Sequence, residues 1–262
     1  MKRNNIFFNL SLATNRGIKE INEDASWTGI NQAEQVFGIV CDGIGSEDDS
    51  QIASLITVDV FSSSFSKRRK IHGVEKWFKT CLKTAFDLIT ERSKKQLQSK
   101  KIGTTVLAIL IEKDKVTTFN LGDTRLYHFS LFKNEWIQIT KDHNLYNHLL
   151  DLYEKDKRIQ LNTLCHKYKD QLFALTKCLE SGSEGFLDYD VFKFTVEPGD
   201  VVFLATDGVY HYIDLSSVND LIKNNANNNF ELISRNVIQK ALQNKSNDNL
   251  TSLVIECLNK NK

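Results

Sequence analysis

Four apolar, strand-like runs in this chain have an aspartate at one end, three of them beside a glycine, and that recurrence limits the folds open to it. "VFLATDGVYHYI" (202–213) places Asp207 before Gly208, "QVFGIVCDGIGS" (35–46) places Asp42 before Gly43, and "KVTTFNLGDTRLYHF" (115–129) places Asp123 after Gly122. Asp248, in "KSNDNLTSLVIEC", precedes the run Leu253 to Ile255. A charge at the end of a core strand is costly unless hydrogen bonds, a cation or a turn satisfy it. One such aspartate reads as a turn residue. Four read as a cluster, because the strands of one sheet can bring their ends together.

The rest of the pattern says which sheets these are. Strand-like segments fall at 6–13, 24–30 and 36–41, then 103–111, 116–121, 125–130 and 135–139, and finally 190–196, 201–206 and 251–257. Helical periodicity lies between the groups. Over 74–92, Val74, Trp77, Phe78, Cys81, Leu82, Ala85, Phe86 and Ile89 recur at i, i+3, i+4 and i+7, the stripe of a helix packed on a core. Shorter helices are expected over 50–65 and 230–243. Strands in runs with helices in pairs argue for antiparallel sheets covered by helices, not for a βαβ parallel sheet. The basic runs "KRRK" (67–70) and "SKKQLQSKK" (93–101) flank the main helix and read as solvated helix ends, with a docking patch as the alternative.

Composition narrows the class. The chain has 262 residues with a single proline at 198 and no Gly/Ser-rich linker, so one domain over 1–262 is expected. A formal charge of +1 gives no global attraction to nucleic acid or to a membrane surface. Five cysteines, odd in number and without C-x-x-C spacing, suggest neither a disulfide framework nor a zinc site. The N-terminal apolar stretch is broken by Asn9 and Ser11 and reads as a strand, so a cytoplasmic protein is expected. Neither G-x-x-x-x-G-K-[ST] nor G-x-G-x-x-G is present, which removes the common phosphate-cradling loops.

Clustered carboxylates without histidine or cysteine suit hard cations such as Mn²⁺ and Mg²⁺. Two such ions about 3.5–4 Å apart activate a water and stabilise charge in a displacement at phosphorus. Phosphoester hydrolysis is the natural hypothesis. The ordered set "GIKEINEDA" (17–25), "VCDGIGS" (40–46), "GTT" (103–105), "NLGDTRLY" (120–127), "ITKDHNL" (139–145), "FLATDGV" (203–209) and "NDNLTSLVI" (247–255) resembles the metal-dependent protein phosphatases, the type 2C serine/threonine family, in its compact bacterial form. The resemblance covers nearly the whole chain. It implies an α+β fold, a four-layer α-β-β-α sandwich with two central, mostly antiparallel sheets flanked by helix pairs.

The resemblance also implies roles. Asp42 would bridge two Mn²⁺ or Mg²⁺ ions, the Gly43 carbonyl would bind the second, and Asp207 and Asp248 would hold the first. Glu23 and Asp24 would orient metal-bound waters. Asp123, with Asp207, matches a third, weaker metal site. Lys19 stands where the family has a phosphate-binding arginine, keeping the charge without the planar fork; Arg16, close by, reads first as an exposed loop residue, with substitution for that arginine as the alternative. Ile44 replaces a methionine or histidine, Thr124 a serine, and His211 an acid. His143 reads equally as structural support or as a residue near the cleft. Residues 146–185 correspond to a variable flap that shapes substrate entry. The implied partners are a phosphorylated protein substrate and a cognate Ser/Thr kinase; no nucleic acid, no membrane and a monomeric chain are expected besides. A catalytically weak relative kept as a regulatory or binding module is the second reading, and a two-metal nuclease or phosphodiesterase, disfavoured by the near-neutral charge, the third.

Overall fold

The computed structural model describes residues 6–44, 49–96, 100–183, 188–225 and 229–259. In chain order, β1 (Ile6–Asn15), β2 (Ala25–Ile30), β3 (Val36–Cys41) and the short β4 (Gly43–Ile44) lead into helices α1 (Ser50–Ser66) and α2 (Val74–Gln96). There follow β5 (Gly103–Thr104), β6 (Val106–Glu112), β7 (Lys115–Leu121), β8 (Arg125–Ser130) and β9 (Glu135–Gln138), then α3 (Leu145–Lys155) and α4 (Leu161–Lys167). The chain continues with β10 (Leu179–Glu180), β11 (Asp190–Thr195), β12 (Val201–Ala205), α5 (Asp207–Tyr210), α6 (Leu215–Asn225), α7 (Ile233–Gln243) and β13 (Leu250–Asn259). Two five-stranded sheets result, β1-β13-β12-β8-β9 and β11-β7-β6-β3-β2, with antiparallel pairing throughout.

Alternation of side chains stacks the layers. On β3, Val36 and Val40 join Leu107 and Ile109 of β6 against Leu204 of β12 and Leu253 and Ile255 of β13, which forms the core between the sheets. The opposite face of β3, Phe37, Ile39 and Cys41, packs with Phe61 and Phe65 of α1 and Trp77 and Phe78 of α2. Phe203 and Val254, on the outer face of the other sheet, meet Val218 of α6 and Val237 and Ile238 of α7. Each large side chain buried this way contributes about 1.5–3 kcal/mol. The α-β-β-α sandwich is therefore the arrangement in which every apolar stripe finds a partner.

Several elements differ from the sequence expectation. The expected strand 103–111 is interrupted at Thr105, whose hydroxyl accepts from the Asp42 amide, so β5 leaves the large sheet and pairs with β4 and β10. The helix at 74 runs to Gln96, which puts Lys94 and Lys95 in its last turn, where cations complement the helix dipole. Residues 97–99 of that basic run lie outside the described residues, as do 1–5, 45–46 of the Asp-Gly motif and 184–185 of the flap segment. The helix expected at 230 opens as a 3-10 turn over Phe230–Leu232, capped by the Asn229 side chain, before α7 begins. Helices α3, α4 and α6 have only 11, 7 and 11 residues, and their apolar stripes are too short to single out in the sequence. Among the described residues no helix is long and apolar enough to cross a membrane.

At one end of the sandwich an acid serves as an anchor. Asp200 is 3 % exposed in the turn before β12, and its carboxylate accepts from the amides of Leu131 and Glu197 at 2.9 and 3.0 Å and from His128 Nε2 at 2.9 Å. Burial opposes ionisation, but these bonds outweigh it and hold the carboxyl below its ordinary range. Its stabilisation is complete above the unfolded carboxylate pKa and is lost as pH falls through the lower folded value. Asp200→Asn is expected to cost about 1–3 kcal/mol at neutral pH, a difference that narrows below about pH 4; urea unfolding at the two pH values measures it.

Candidate metal centre

Register carries the acids to the opposite end. Cys41 pairs with Ala25, Asn15 with Leu250, Ala205 with both Ser252 and Arg125, and Leu121 with Val106. The residues just beyond these pairs, Glu23, Asp24, Asp42, Asp123, Asp207 and Asp248, therefore share one edge of the sandwich. Apolar packing of two sheets is what aligns six acids from five separate stretches of chain.

Backbone bonds fix each acid in place. The Asp42 amide donates to Thr105 Oγ1 at 2.9 Å, and its carbonyl accepts from the Thr105 amide and Thr104 Oγ1, both at 2.9 Å. The Gly43 amide donates to the Glu23 carbonyl at 3.1 Å, which also accepts from Ser54 Oγ on α1. Asn249 ties the 16–23 loop to the start of β13: its Oδ1 accepts from the Glu23 amide at 2.9 Å, while Nδ2 donates to the carbonyls of Arg16 and Ile21, each at 2.9 Å. Gly208 lets α5 approach this strand, since a Cβ there would lie 2.0 Å from the Asn249 carbonyl oxygen. Gly17, at φ 61°, does the same beside the Asp248 carbonyl, where a Cβ would come within 2.3 Å.

The Asp123 turn is clamped from three sides. The Gly122 amide donates to His143 Nδ1 at 3.0 Å, and the His143 amide returns a bond to the Gly122 carbonyl at 2.9 Å. Nδ1 is thus the unprotonated nitrogen, and Nε2 donates to Asp190 at 3.1 Å. Burial lowers the His143 pKa despite that carboxylate, as suits a neutral ring acting as support. Tyr210 donates its hydroxyl to the Asp123 carbonyl at 3.2 Å, and Arg125 lies 4.0 Å from the Tyr210 ring centre while forking onto Asp142. Thr124, the serine replacement, is buried against Thr105 Oγ1 at 2.7 Å.

The electrostatics of this edge are those of crowded acids. Burial, then repulsion from Asp24, Asp207, Asp123 and Asp248, drives the Asp42 pKa well up. Burial, with Asp207 and Asp248 adding to it, pushes Asp24 up to about 7 against the neighbouring hydroxyls of Thr251, which itself donates to Thr14, and Thr206. Asp123 is likewise pushed up to about 7 by burial and by Asp207 and Asp142, and Asp207 is raised by burial and Asp248. Lys19 answers part of this charge: its Nζ lies 3.3 Å from Asp248 Oδ1. Burial works against its charged form, but Asp248, Glu23 and Asp207 prevail and raise its pKa.

Among the described residues, no three His, Cys, Asp or Glu side chains close into a finished cation cage. Asp248 turns to Lys19 and Asp24 Oδ2 accepts from Thr206 at 2.9 Å, which draws two of the acids aside. The fit to a hard divalent cation rests on two observations. Asp24 is 5 % exposed, and its Oδ1 is buried without a hydrogen-bond partner, an arrangement that is costly unless something positive or hydrogen-bearing arrives. The donors around it are oxygens, as Mg²⁺ and Mn²⁺ require.

Most of the expected residues meet here: Lys19, Glu23, Asp24, Asp42, Gly43, Asp123, Asp207 and Asp248. Arg16 does not join them, because it sits in an exposed turn with Nη1 on the Glu20 carbonyl. His211 is exposed next to Asp207 and favours its ionised form. Cys41, beside Asp42, is fully buried, and burial drives its thiol pKa well up, so it is an unreactive filler. The sequence reading missed Asn249, Thr105, Tyr210 and the Arg125–Asp142 pair. Asn249, adjacent to Asp248 within a motif, was the one with a signal to follow.

Comparison with known proteins agrees with this geometry. The family model described as protein phosphatase 2C matches residues 14–253. The chain is 30% identical to a candidate protein phosphatase of Mycoplasma pneumoniae over 252 residues, covering 92% of each chain. It is 27% identical to the serine/threonine phosphatase stp of Listeria welshimeri, covering 93% of each. Among solved structures it superposes on the S. agalactiae serine/threonine phosphatase with a TM-score of 0.80 at 21% identity, covering 95% of this chain and 99% of that one. The catalytic domain of the phosphatase PstP in complex with two manganese ions superposes with a TM-score of 0.76 at 18% identity, covering 97% and 100%. An acidic sandwich edge built from motifs in this order, matched over nearly its whole length, places the chain in the protein phosphatase 2C family.

Proposed function

We propose that the acidic edge holds two Mn²⁺ or Mg²⁺ ions and, through them, hydrolyses the phosphate esters of phosphoserine and phosphothreonine in proteins. Family membership supplies the reaction class, since the chain is a metal-dependent protein serine/threonine phosphatase of bacterial type. The observation that carries the site assignment is the buried, unpartnered Oδ1 of Asp24 among mutually repelling carboxylates. Asp42, the Gly43 carbonyl, Asp207 and Asp248 are the residues that would hold the two ions, and Asp123 with Asp207 a third, weaker one. The count of two is supported by the manganese ions of PstP, a protein of the same fold. Bound, such ions lower the pKa of water and neutralise charge developing at phosphorus.

The chain's own residues then do the positioning. Glu23 and Asp24 would orient the attacking water, with Asn249 and Thr206 holding their segments steady. Lys19 would leave Asp248 as metal charge replaces its own, and face substrate phosphate as a point charge. Residues 1–262 form one catalytic unit in this reading, and 146–185 shape substrate entry. The latter are fastened to the site by a bridge from Asn144 to Leu175 and by the Thr176 amide on the His143 carbonyl. We further assign the chain to the cytoplasm as a monomer acting opposite a Ser/Thr kinase. A weakly active regulatory module is the second reading, favoured by Lys19, which stands in for arginine and pairs with a would-be ligand.

Activity on a phosphothreonine peptide and on an aryl phosphate is expected to require added Mn²⁺ or Mg²⁺ and to vanish in chelator, while circular dichroism stays native. Asp42→Asn or Asp207→Asn should lower turnover by orders of magnitude at saturating metal without lowering the metal-free melting temperature. Near-parental turnover in either variant would remove that residue from the site, and a slow parental enzyme with tight metal binding would favour the regulatory reading.

Raised acids make a prediction for the metal-free protein. Asp24 and Asp123 are pushed up to about 7 in the fold, so the folded state holds protons that the unfolded state releases near pH 4. Metal-free stability should therefore fall as pH rises from about 4 to about 7, and Asp123→Asn should flatten that slope; unfolding in chelator across this range tests both.

Lys19 links metal and substrate. The Lys19–Asp248 pair is partly exposed, 44% and 39% by side chain, so it is worth at most about 1 kcal/mol. Lys19→Ala should raise KM for phosphopeptide at saturating Mn²⁺ and tighten Mn²⁺ binding by no more than about fivefold. Lys19→Arg should not reduce kcat/KM, because the fork adds a charged hydrogen bond worth up to about 1–2 kcal/mol. Calorimetric metal titration and steady-state kinetics separate the effects; unchanged kcat/KM in Lys19→Ala would leave the residue without a role.

A further inference from the structure

We propose that a basic groove at the end of α1 remote from the acidic edge docks an acidic peptide segment of the phosphoprotein substrate; the proposal rests on the phosphatase reading above. Ser54 of α1 touches Glu23, whereas the helix ends at Ser66 with Phe65 packed on Trp27. The twelve residues between them rise about 18 Å. Around the following loop, 67–73, lie two adjoining hollows of about 280 and 520 Å³ that share Arg68 and Arg69. Lys67 lines the first, and Lys70, His72 and Lys76 line the second. No carboxylate lines either among the described residues.

The charge here is concentrated and largely unanswered. Lys70 is paired with Glu112 at 2.6 Å, but Lys67, Arg68, Arg69 and Lys76 have no ion pair among the described residues. Arg68 uses Nη1 on the carbonyl and hydroxyl of Ser64, at 2.7 and 2.6 Å, leaving Nε and Nη2 uncommitted among the described contacts. In a chain of net charge +1 this is a local excess of one sign. Guanidinium forks on a fixed surface suit carboxylates in particular.

A merely solvated helix end would have no need of a rigid frame, yet this loop is bolted down. The Ile71 amide donates to Gln35 Oε1 at 2.7 Å, and Gln35 Nε2 returns a bond to the Ile71 carbonyl at 3.0 Å, both fully buried. The Ala33 amide donates to the Arg69 carbonyl at 3.1 Å, and Trp77 Nε1 donates to Ser64 Oγ at 3.0 Å. A fixed backbone, with Arg68 held on Ser64, leaves less freedom to lose when an anion binds. Phe65 and Trp77 are 1 % and 6 % exposed, which leaves the half-buried Trp27 as the one Phe, Tyr or Trp ring of the two hollows, among the described residues, open to a base, too few for the successive stacking that a single-stranded nucleic acid uses. The acidic edge itself repels a chain rich in carboxylates, and the groove supplies the attraction that edge lacks. A substrate engaging both needs at least about six extended residues between its acidic segment and its phosphorylated residue.

A fluorescein-labelled octaglutamate peptide, titrated with the protein in chelator, tests the groove directly. Arg68→Glu/Arg69→Glu should weaken binding at least tenfold, while Arg235→Glu/Lys240→Glu on α7, with the same change in net charge, should leave it within about twofold. In Mn²⁺, a phosphothreonine peptide with a glutamate tail starting eight residues away should be turned over with several-fold higher kcat/KM than one with a Gly/Ser tail. That gain should vanish in the groove variant, whose turnover of p-nitrophenyl phosphate stays parental. Equal octaglutamate binding by both double variants, no advantage from the tail, or displacement of the peptide by a lower concentration of an RNA octamer would overturn the proposal. Absence of p-nitrophenyl phosphate turnover in the parental protein would count against the phosphatase reading instead, and octaglutamate binding would still decide the groove.

Discussion

Repulsion among crowded carboxylates, one buried and the others half-buried, is the force that the rest of this structure contains. Asp24, Asp42, Asp123 and Asp207 would each be better solvated apart, and their raised pKa values measure how strongly the fold resists their ionisation. What holds them is the apolar layer between the two sheets, where Val36, Val40, Leu107 and Ile109 meet Leu204, Leu253 and Ile255. Antiparallel register then converts packing in the middle of the sandwich into proximity at its edge. Stability is stored in the core and spent where the chemistry is needed.

Between core and acids lies a polar lattice that sets geometry without touching substrate. Asn249, Thr105, His143 and Tyr210 bond the backbone next to Glu23, Asp42, Gly122 and Asp123. These bonds fix the backbone that carries the acids before any ion binds, so the reorganisation left to binding lies in side chains, chiefly those of Asp248 and Asp24. Lys19 completes the balance as a cation partly exposed to solvent, near enough to lower the field and weakly enough held to give way.

The large strands and the two main helices were legible in the sequence because alternation and the 3.6-residue stripe are properties of neighbouring residues. The acids were legible too, since an Asp-Gly at the end of an apolar run violates the rule that charges avoid buried strand ends. Asn249 and Thr105 were not, because a buried polar side chain that bonds a distant backbone looks like any surface residue in a linear chain. The break in the strand at Thr105 has the same origin: only the Asp42 amide opposite explains it. In the linear sequence "KRRK" reads as a solvated helix end, and only the buried Gln35 anchor and the absence of lining carboxylates among the described residues distinguish it from one.

Everything proposed for this edge requires the sheet-edge acids to be a cation site. Crystals grown in Mn²⁺, with data collected at the manganese absorption edge, locate the ions without reference to activity. Anomalous peaks directly coordinated by Asp42, Asp207 and Asp248 are the predicted result; peaks only at surface acids elsewhere, with these three carboxylates free of metal at saturating Mn²⁺, would contradict it.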